Sequence, residues 1–273
     1  MPPLEMASIR QLIAGSIYAA FFIFYKKAPL PSSKQFRWLI PMGILMFVSA
    51  NGLSTWSIRF IPAGLSSLIG ALYPLCVVII EKIFYKNVRL TTLTFCGLFL
   101  GIAGIAIVFY EDAFHNAGPS FLFGVFLSAV AMLSWSIGTV FIARNKTNMN
   151  SYHSIGWQML IAGIILFVIA SFTQPYLSLT DIPSAAWLSI WYLVIFGSLI
   201  SFVAFIYSMH KLPAAIASLY AYINPLVAMV AGYFVLQEKL TVNILWGSVV
   251  TLVGVFMVNY SIKRSAAIAE AEI

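Results

Sequence analysis

Charged residues are scarce in this chain, and their scarcity excludes a water-soluble globular fold. Of the 273 residues only 8% are charged and 62% are hydrophobic, and the mean hydropathy is +0.97. A soluble protein of this length needs far more polar surface to cover its core. The sequence therefore predicts an integral membrane protein, with the lipid bilayer as its first partner.

The residues on which enzymes and metal sites depend are also few. The chain contains two cysteines, Cys76 and Cys96, and three histidines, and none of them has the spacing of metal ligands. It has no His-Glu-x-x-His motif, no P-loop and no pair of aspartates inside an apolar run. We therefore predict that the protein is not an enzyme, has no metal site and uses no cofactor, and that ATP does not drive it.

Long apolar runs dominate the sequence instead. Stretches of about 20 residues are long enough to cross a hydrocarbon core of about 30 Å as helices, and none alternates in the manner of a β-barrel strand. The sequence predicts an all-α integral membrane protein, a helical bundle with nine visible spans. Their approximate bounds are 4–25, 38–58, 62–84, 90–110, 120–143, 152–173, 186–209, 212–236 and 241–262.

The basic residues lie in alternate loops between these spans. Twelve of the 15 lysines and arginines fall on one side, and the positive-inside rule makes that side cytoplasmic. We therefore predict a multi-pass protein of the cytoplasmic (inner) membrane with a cytoplasmic C-terminus. This orientation explains the net charge of +7 without a nucleic-acid partner. The twelve are Lys26, Lys27, Lys34, Arg37, Lys82, Lys86, Arg89, Arg144, Lys146, Lys211, Lys263 and Arg264.

Much of the sequence occurs twice at a nearly constant offset. Pro62 and Pro74 recur 151 residues later as Pro213 and Pro225, and the Leu-Ile-Ala-Gly run at 12–15 recurs after 148. Five further residues recur after 150, namely Leu90, Thr91, Gly97, Gly104 and Tyr110 as Leu240, Thr241, Gly247, Gly254 and Tyr260. Equivalent spans stand five positions apart, an odd number, so the two copies cross the membrane in opposite directions. Inverted repeats of this kind are typical of alternating-access transporters.

The second copy has five spans and the first has four. We therefore expect the partner of the fifth span to lie upstream of Met1, which makes nine spans visible of an expected ten; a true nine-span variant is the alternative. The predicted division is residues 1–112 as a first repeat lacking its first helix, 118–264 as a second repeat, and 265–273 as a cytoplasmic tail.

Polar and aromatic residues near mid-span are the candidates for a substrate site. Pro74 and Pro225 are predicted to kink equivalent helices and so to expose backbone groups to a cavity, although a bend made for packing is the alternative. Single serines in spans also serve interhelical hydrogen bonds. Arg10 and Glu81 are expected to reach the membrane surface from near span ends.

The candidate substrate-binding residues are Asn51, Trp56, Tyr73, Trp135, Ser201, Tyr222 and Asn224. Substituting Tyr222 or Asn224 is expected to lower transport without lowering expression.

The second half carries a motif set that resembles a known family. Leu-Pro-Ala-Ala-Ile-Ala-Ser-Leu at 212–219, Asn224-Pro225, Glu-Lys-Leu-Thr at 238–241 and the glycines at 247 and 254 resemble the second repeat of EamA-type permeases in the drug/metabolite transporter superfamily. The pattern recurs more weakly over 61–110, where Asn87 or Val88 replaces the family's glutamate. The resemblance implies two inverted five-helix repeats with both termini cytoplasmic. It also implies transport of amino acids, nucleobases, sugar phosphates, amines or drugs, often outward.

These observations together predict a membrane permease or exporter of small organic metabolites that works by alternating access through a central cavity. A passive channel is the alternative, and flux that fails to saturate with substrate would identify it. A truncated, non-transporting remnant is a second alternative, and an in-frame apolar segment upstream of Met1 would exclude it. The expected partners are a small-molecule substrate and lipid, and a homodimer is compatible with the sequence.

Overall fold

The computed structural model describes residues 1–61, 66, 69–85, 91–108, 120–144, 149–173, 182–223 and 242–271. These residues form helices joined by turns, with no strand among them, and the all-helical prediction is confirmed. Three helices continue into π-helical segments. The elements are α1 (Pro3–Ala20), π1 (Phe21–Tyr25), α2 (Ser33–Gly43), π2 (Ile44–Gly52), α3 (Leu53–Ser57), α4 (Tyr73–Tyr85), α5 (Thr92–Val108), α6 (Phe121–Arg144), α7 (Ser151–Thr173), α8 (Ser184–Tyr192), π3 (Leu193–Ile200), α9 (Ser201–Lys211), α10 (Ala214–Ala217) and α11 (Val242–Ala271).

Local chemistry determines where several of these helices begin or end. Pro3 occupies the first turn of α1, where its missing N–H would have had no helical partner. Ser32 and Gln35 form a capping box at the start of α2, because the Ser32 side chain accepts from the Gln35 backbone N–H while the Gln35 side chain accepts from that of Ser32. Leu212 takes an extended conformation before Pro213 and ends α9.

Five helical runs in the described residues are long and apolar enough to cross a membrane. They are Pro3–Tyr25, Ser33–Ser57, Phe121–Ala143, Ser151–Thr173 and Ala186–Lys211. Three shorter apolar helices, Thr92–Gly104, Ala214–Ile223 and Leu245–Val258, lie within other predicted spans. The architecture is therefore that of a helical membrane bundle.

The two helices that carry the repeated Leu-Ile-Ala-Gly run pack against each other. A Cβ atom on Gly15 would lie 2.7 Å from the backbone nitrogen of Leu160, and one on Gly163 would lie 3.0 Å from that of Leu12. Leu12 and Gly15 are the repeat equivalents of Leu160 and Gly163, so exchanging the two copies reproduces the same contact. Leu12 precedes Gly15 along α1, but Leu12 contacts Gly163 and Gly15 contacts the earlier residue Leu160. The helices α1 and α7 therefore run antiparallel. The contact therefore has the two-fold symmetry of an inverted repeat.

A second pair of equivalent helices, α5 and α11, packs in the same way. A Cβ atom on Gly97 would lie 2.7 Å from the carbonyl oxygen of Gly254, and one on Gly104 would lie 2.6 Å from that of Gly247. These four glycines are again repeat equivalents that meet in antiparallel order. Backbones approach this closely only where side chains are absent, so the glycines hold the two helices together.

Contacts between described residues bring together, at one end of the bundle, the helix ends from which the predicted cytoplasmic loops start. Trp38 and Phe84 both pack edge-to-face on Phe141, with ring centroids 6.2 and 6.1 Å apart. Ser151 Oγ lies 3.0 Å from His210 Nε2. Each of these residues lies close in sequence to one of the twelve basic residues, and we call this end of the molecule the basic end.

A separate aromatic cluster lies at the opposite end of the bundle. Trp56 and Phe60 each contact the ring of Phe123, with centroids 5.7 and 5.3 Å apart. Gly124 leaves room for this contact, since a Cβ atom there would lie 2.6 Å from the Cβ of Phe60. The cluster joins the end of α3 to the start of α6.

Candidate functional site

A cavity of about 1020 Å³ lies between helices of both sequence copies. Its described lining residues come from α1, π2, α3, α6, π3, α9 and the segments around residues 66–73 and 212–221, and none comes from α5, α7 or α11. Pockets for organic ligands have volumes of roughly 300 to 1,000 Å³. The cavity is therefore large enough for a small metabolite together with some water.

One wall of the cavity carries an arginine held by an asparagine. Arg10, on α1, donates from Nη2 to Asn51 Oδ1 over 2.9 Å. Asn51 in turn donates from Nδ2 to the carbonyl oxygen of Met46 over 3.0 Å. Because the amide of Asn51 is bonded on both sides, its oxygen must face Arg10. Arg10 thus lines the cavity, whereas the sequence had predicted that it reaches the membrane surface.

Asn51 and Ser201 are repeat equivalents, 150 residues apart, and make equivalent hydrogen bonds. Asn51 donates to the carbonyl of the residue five positions earlier, and Ser201 Oγ donates to the carbonyl of Phe196, also five positions earlier. Both bonds lie at the ends of π-helical segments, π2 and π3, which begin 149 residues apart. The wider π turn leaves carbonyl groups for a side chain to bind, and both side chains line the cavity.

The other wall of the cavity is aromatic. Trp135, from α6, donates from Nε1 to the hydroxyl of Tyr220 over 3.1 Å and packs against Phe205 with ring centroids 5.3 Å apart. Tyr73 lies next to Tyr220, with centroids 5.9 Å apart, and donates to Thr139 Oγ1. Such rings offer apolar faces together with polar edges to a bound molecule.

The structure brings four of the seven predicted substrate-binding residues to the cavity. Asn51, Tyr73, Trp135 and Ser201 line it. Trp56 does not belong to the lining and lies in the aromatic cluster with Phe60 and Phe123. Asn224 and the predicted kink at Pro225 lie outside the described residues.

Tyr222 also lies away from the cavity. Its ring is fully buried against Gly101 of α5, and its hydroxyl makes a 3.4 Å contact with the carbonyl of Leu98. Two helical residues correspond to a rotation of about 200°, so Tyr220 faces the cavity and Tyr222 faces the scaffold behind it. The cavity position predicted for Tyr222 is therefore occupied by Tyr220.

Pro74 follows a break in the helix rather than bending a continuous one. Ala71 and Leu72 form a turn, and Pro74 is the second residue of α4, which starts at Tyr73. Proline is well tolerated in a first turn, where an N–H has no helical partner. The interruption places Gly70 and Tyr73 beside the cavity.

Several cavity residues carry no feature that singles them out in the sequence. Phe202, Phe205 and Tyr220 looked like ordinary apolar residues of spans, and Arg10 was assigned to the surface. The positions of Arg10 and Asn51 could have predicted that the two side chains meet. The helical runs that contain them cross the membrane in opposite directions, and each residue lies in the half remote from the basic end.

The fold and cavity define an integral membrane protein of helices in two inverted copies, and comparisons with known proteins identify its class. The protein called uncharacterized transporter YoaV, from Bacillus subtilis, is 26% identical over 270 residues, which are 97% of this chain and 89% of YoaV. The uncharacterized inner membrane transporter YedA of Escherichia coli K12 is 29% identical over 233 residues, 85% of this chain and 73% of YedA. A solved crystal structure shares the fold at 16% identity, with a TM-score of 0.79 over 97% of this chain and 89% of its own.

The model of the EamA-like transporter family matches residues 1–110 and 122–260. The chain belongs to this family, and the predicted resemblance to EamA-type permeases is confirmed. It is accordingly a multi-pass membrane transporter.

Proposed function

We propose that this transporter is a permease for small organic metabolites that works by alternating access, with the cavity as its substrate site. The observation that carries the proposal is the equivalence of Asn51 and Ser201. Asn51 is the penultimate residue of π2 and Ser201 directly follows π3. Each side chain donates to a carbonyl five residues earlier, and both face one cavity from opposite sequence copies. A site built from two inverted copies can be opened to either side of the membrane by exchanging their conformations.

The lining suits an organic molecule with both polar and apolar parts. In this proposal Asn51 and Ser201 bind polar groups of the substrate, while Tyr73 and Trp135 contact its apolar body. Tyr220 joins them, because its hydroxyl already accepts from Trp135 and more than a third of its surface is accessible.

The proposed orientation places the basic end in the cytoplasm, in the inner membrane of the cell. It is supported by the ring contacts that bring Trp38, Phe84 and Phe141 together next to lysines and arginines of three different loops. The segment that leads to the C-terminus, with Lys263 and Arg264, then also lies on the cytoplasmic side.

Counterflow in proteoliposomes tests this proposal. The full chain is reconstituted, loaded in turn with unlabelled amino acids, nucleosides and aromatic acids, and assayed for uptake of the same labelled solute. A permease gives uptake that saturates with concentration and is accelerated by solute on the opposite side. Flux that rises linearly with concentration and lacks this acceleration would indicate a passive channel, and a Trp135→Ala variant shows whether the cavity carries the flux.

A further inference from the structure

The charge of Arg10 has no counter-charge in the part of the chain that the structure describes. The described residues that line the cavity include Arg10 and no aspartate or glutamate. Glu5 stands five residues earlier on α1, about 140° around the helix axis, and neither of its oxygens has a hydrogen-bond partner among the described residues. The bond partner of Arg10 is the neutral amide of Asn51.

A guanidinium in this position is suited to binding an anion. Arginine stays protonated in proteins, and a desolvated cation without a counter-charge is strongly unfavourable. Arg10 donates from Nη2 to Asn51, and its Nε is buried without a partner among the described residues. Carboxylates and phosphates accept two parallel hydrogen bonds from such a group.

Asn51 holds this group in a defined orientation. Its amide bridges from Arg10 to the carbonyl of Met46 in π2, with bonds of 2.9 and 3.0 Å. The hydroxyl-bearing residues Ser54 and Thr55 line the same cavity about one helical turn further along. The cation is therefore positioned before any ligand arrives, which reduces the entropy lost on binding.

We infer that Arg10, oriented by Asn51, binds a carboxylate or phosphate group of the transported molecule. The apolar or aromatic body of that molecule contacts the wall formed by Trp135, Phe205 and Tyr220. The substrates are then small organic anions with an apolar part. This inference rests on the proposed function, since it assigns a substrate class to the same cavity.

A purely structural role for Arg10 makes a different prediction. If Arg10 only joined α1 to π2, any donor that reaches Asn51 would replace it and ligand charge would not matter. Arg10→Gln keeps a donor without the charge, and Arg10→Lys keeps the charge. Asn51→Asp supplies an internal counter-charge that competes with a ligand anion. Arg59 is exposed and outside the described lining, so Arg59→Gln is the matched control for loss of one positive charge.

Binding to matched probe pairs tests the inference. The full chain in lipid nanodiscs is titrated with phenylacetate against phenylacetamide, with phenyl phosphate against phenol, and with inorganic phosphate. We expect wild type and Arg59→Gln to bind at least one anionic member about tenfold or more tightly than its neutral partner, as for a charge-assisted hydrogen-bonded pair. Arg10→Gln and Asn51→Asp should lose this preference, and Arg10→Lys should retain part of it.

Several outcomes would overturn the anion site. Equal affinity for charged and neutral partners in wild type, or no binding of any probe, would remove it, as would a preference that persists in folded Arg10→Gln. Inorganic phosphate bound as tightly as phenyl phosphate would contradict the apolar wall. Saturable counterflow of neutral solutes without anion preference would leave the permease proposal standing and this inference refuted. Anion binding through Arg10 without any transport would leave the anion site standing and would refute both the permease proposal and the assignment of a substrate class.

Discussion

Tyr220 and Tyr222 stand two positions apart and face opposite sides of one short helix. Tyr220 contributes its ring and hydroxyl to the cavity, where it accepts from Trp135. Tyr222 is enclosed by Leu98, Gly101 and their neighbours. The first tyrosine therefore lies at the proposed substrate site, while the second supports the packing behind it.

Alanine substitution should separate these two roles. We expect Tyr220→Ala to lower the rate of transport while the melting temperature changes little. Tyr222→Ala leaves a buried cavity, and for aromatic residues such a loss destabilises by about 3–5 kcal/mol, so it should lower the melting temperature and the yield of folded protein.

A phenylalanine variant at Tyr222 provides the control for the two alanine substitutions. Tyr222→Phe keeps the buried ring and loses only a 3.4 Å contact, so its stability should stay close to that of wild type. Melting curves in detergent and counterflow rates normalised to folded protein measure both effects. The assignment would be wrong if Tyr222→Ala melted normally and transported poorly.

The sequence predicted the chemistry of the cavity better than the direction of its side chains. Asn51 and Ser201 stood out because polar residues inside apolar spans must face protein or water. Tyr220 and Tyr222 could not be told apart, because the turn at Ser218 and Leu219 resets the helical phase and a sequence pattern does not record that reset.

At the scale of elements, the glycines of α5 and α11 set how closely these two helices approach. A Cβ atom on Gly104 would collide with the hydroxyl of Thr251 and lie 2.6 Å from the carbonyl oxygen of Gly247. Both are held in α11, where the Thr251 side chain itself donates to the Gly247 carbonyl. Gly104 therefore has no space for a side chain.

We expect Gly104→Ala to destabilise the protein, because the two helices must move apart and lose contacts along their length. An overpacked site of this kind typically loses about 1–3 kcal/mol, which a melting curve detects. Gly70→Ala is the matched control, since a Cβ atom there would meet no atom of the described residues within 4 Å. Equal melting temperatures for the two variants would contradict the close approach seen at Gly104.

The helical spans were predictable at this scale, and their π-helical segments were not. Continuous apolar composition is enough to indicate a membrane helix. A change from α-helical to π-helical hydrogen bonding depends on which backbone carbonyl groups accept hydrogen bonds from side chains in the folded bundle. The carbonyl of Met46, for example, accepts one from Asn51. That information is distributed over residues that come together only in the tertiary structure.

At the scale of the whole molecule, the constant offset of the repeat identifies equivalent helices but does not predict which helices pack against each other. The structure shows that equivalents pair directly, α1 with α7 and α5 with α11, through reciprocal contacts such as Gly15 with Leu160 and Gly163 with Leu12. These pairs lie on or near a two-fold axis, because only there can a residue and its equivalent exchange places within one interface. The cavity lies between α1 and helices outside these two pairs, and α5, α7 and α11 contribute none of its described lining.

Alternating access predicts that linking helices of the two sequence copies at one end of the cavity will stop transport. Phe60 and Phe123 provide a pair at the end opposite the basic loops, and Phe84 and Phe141 provide one at the basic end, with ring centroids 5.3 and 6.1 Å apart. Each pair is changed to cysteine in a chain from which Cys76 and Cys96 have been removed, and then joined with a short bifunctional methanethiosulfonate, which attaches to each cysteine through a reducible disulfide bond.

We expect at least one cross-link to abolish counterflow and a reducing agent to restore it, since a locked end prevents exposure of the site to both sides in turn. The corresponding single-cysteine variants, treated with the same reagent, should transport normally and so exclude modification of one cysteine as the cause. A passive pore needs no such movement, because solute can pass while both ends keep one conformation. Saturable transport that continued unchanged with both pairs fully cross-linked would therefore refute alternating access between these helices, even if the cavity itself bound substrate.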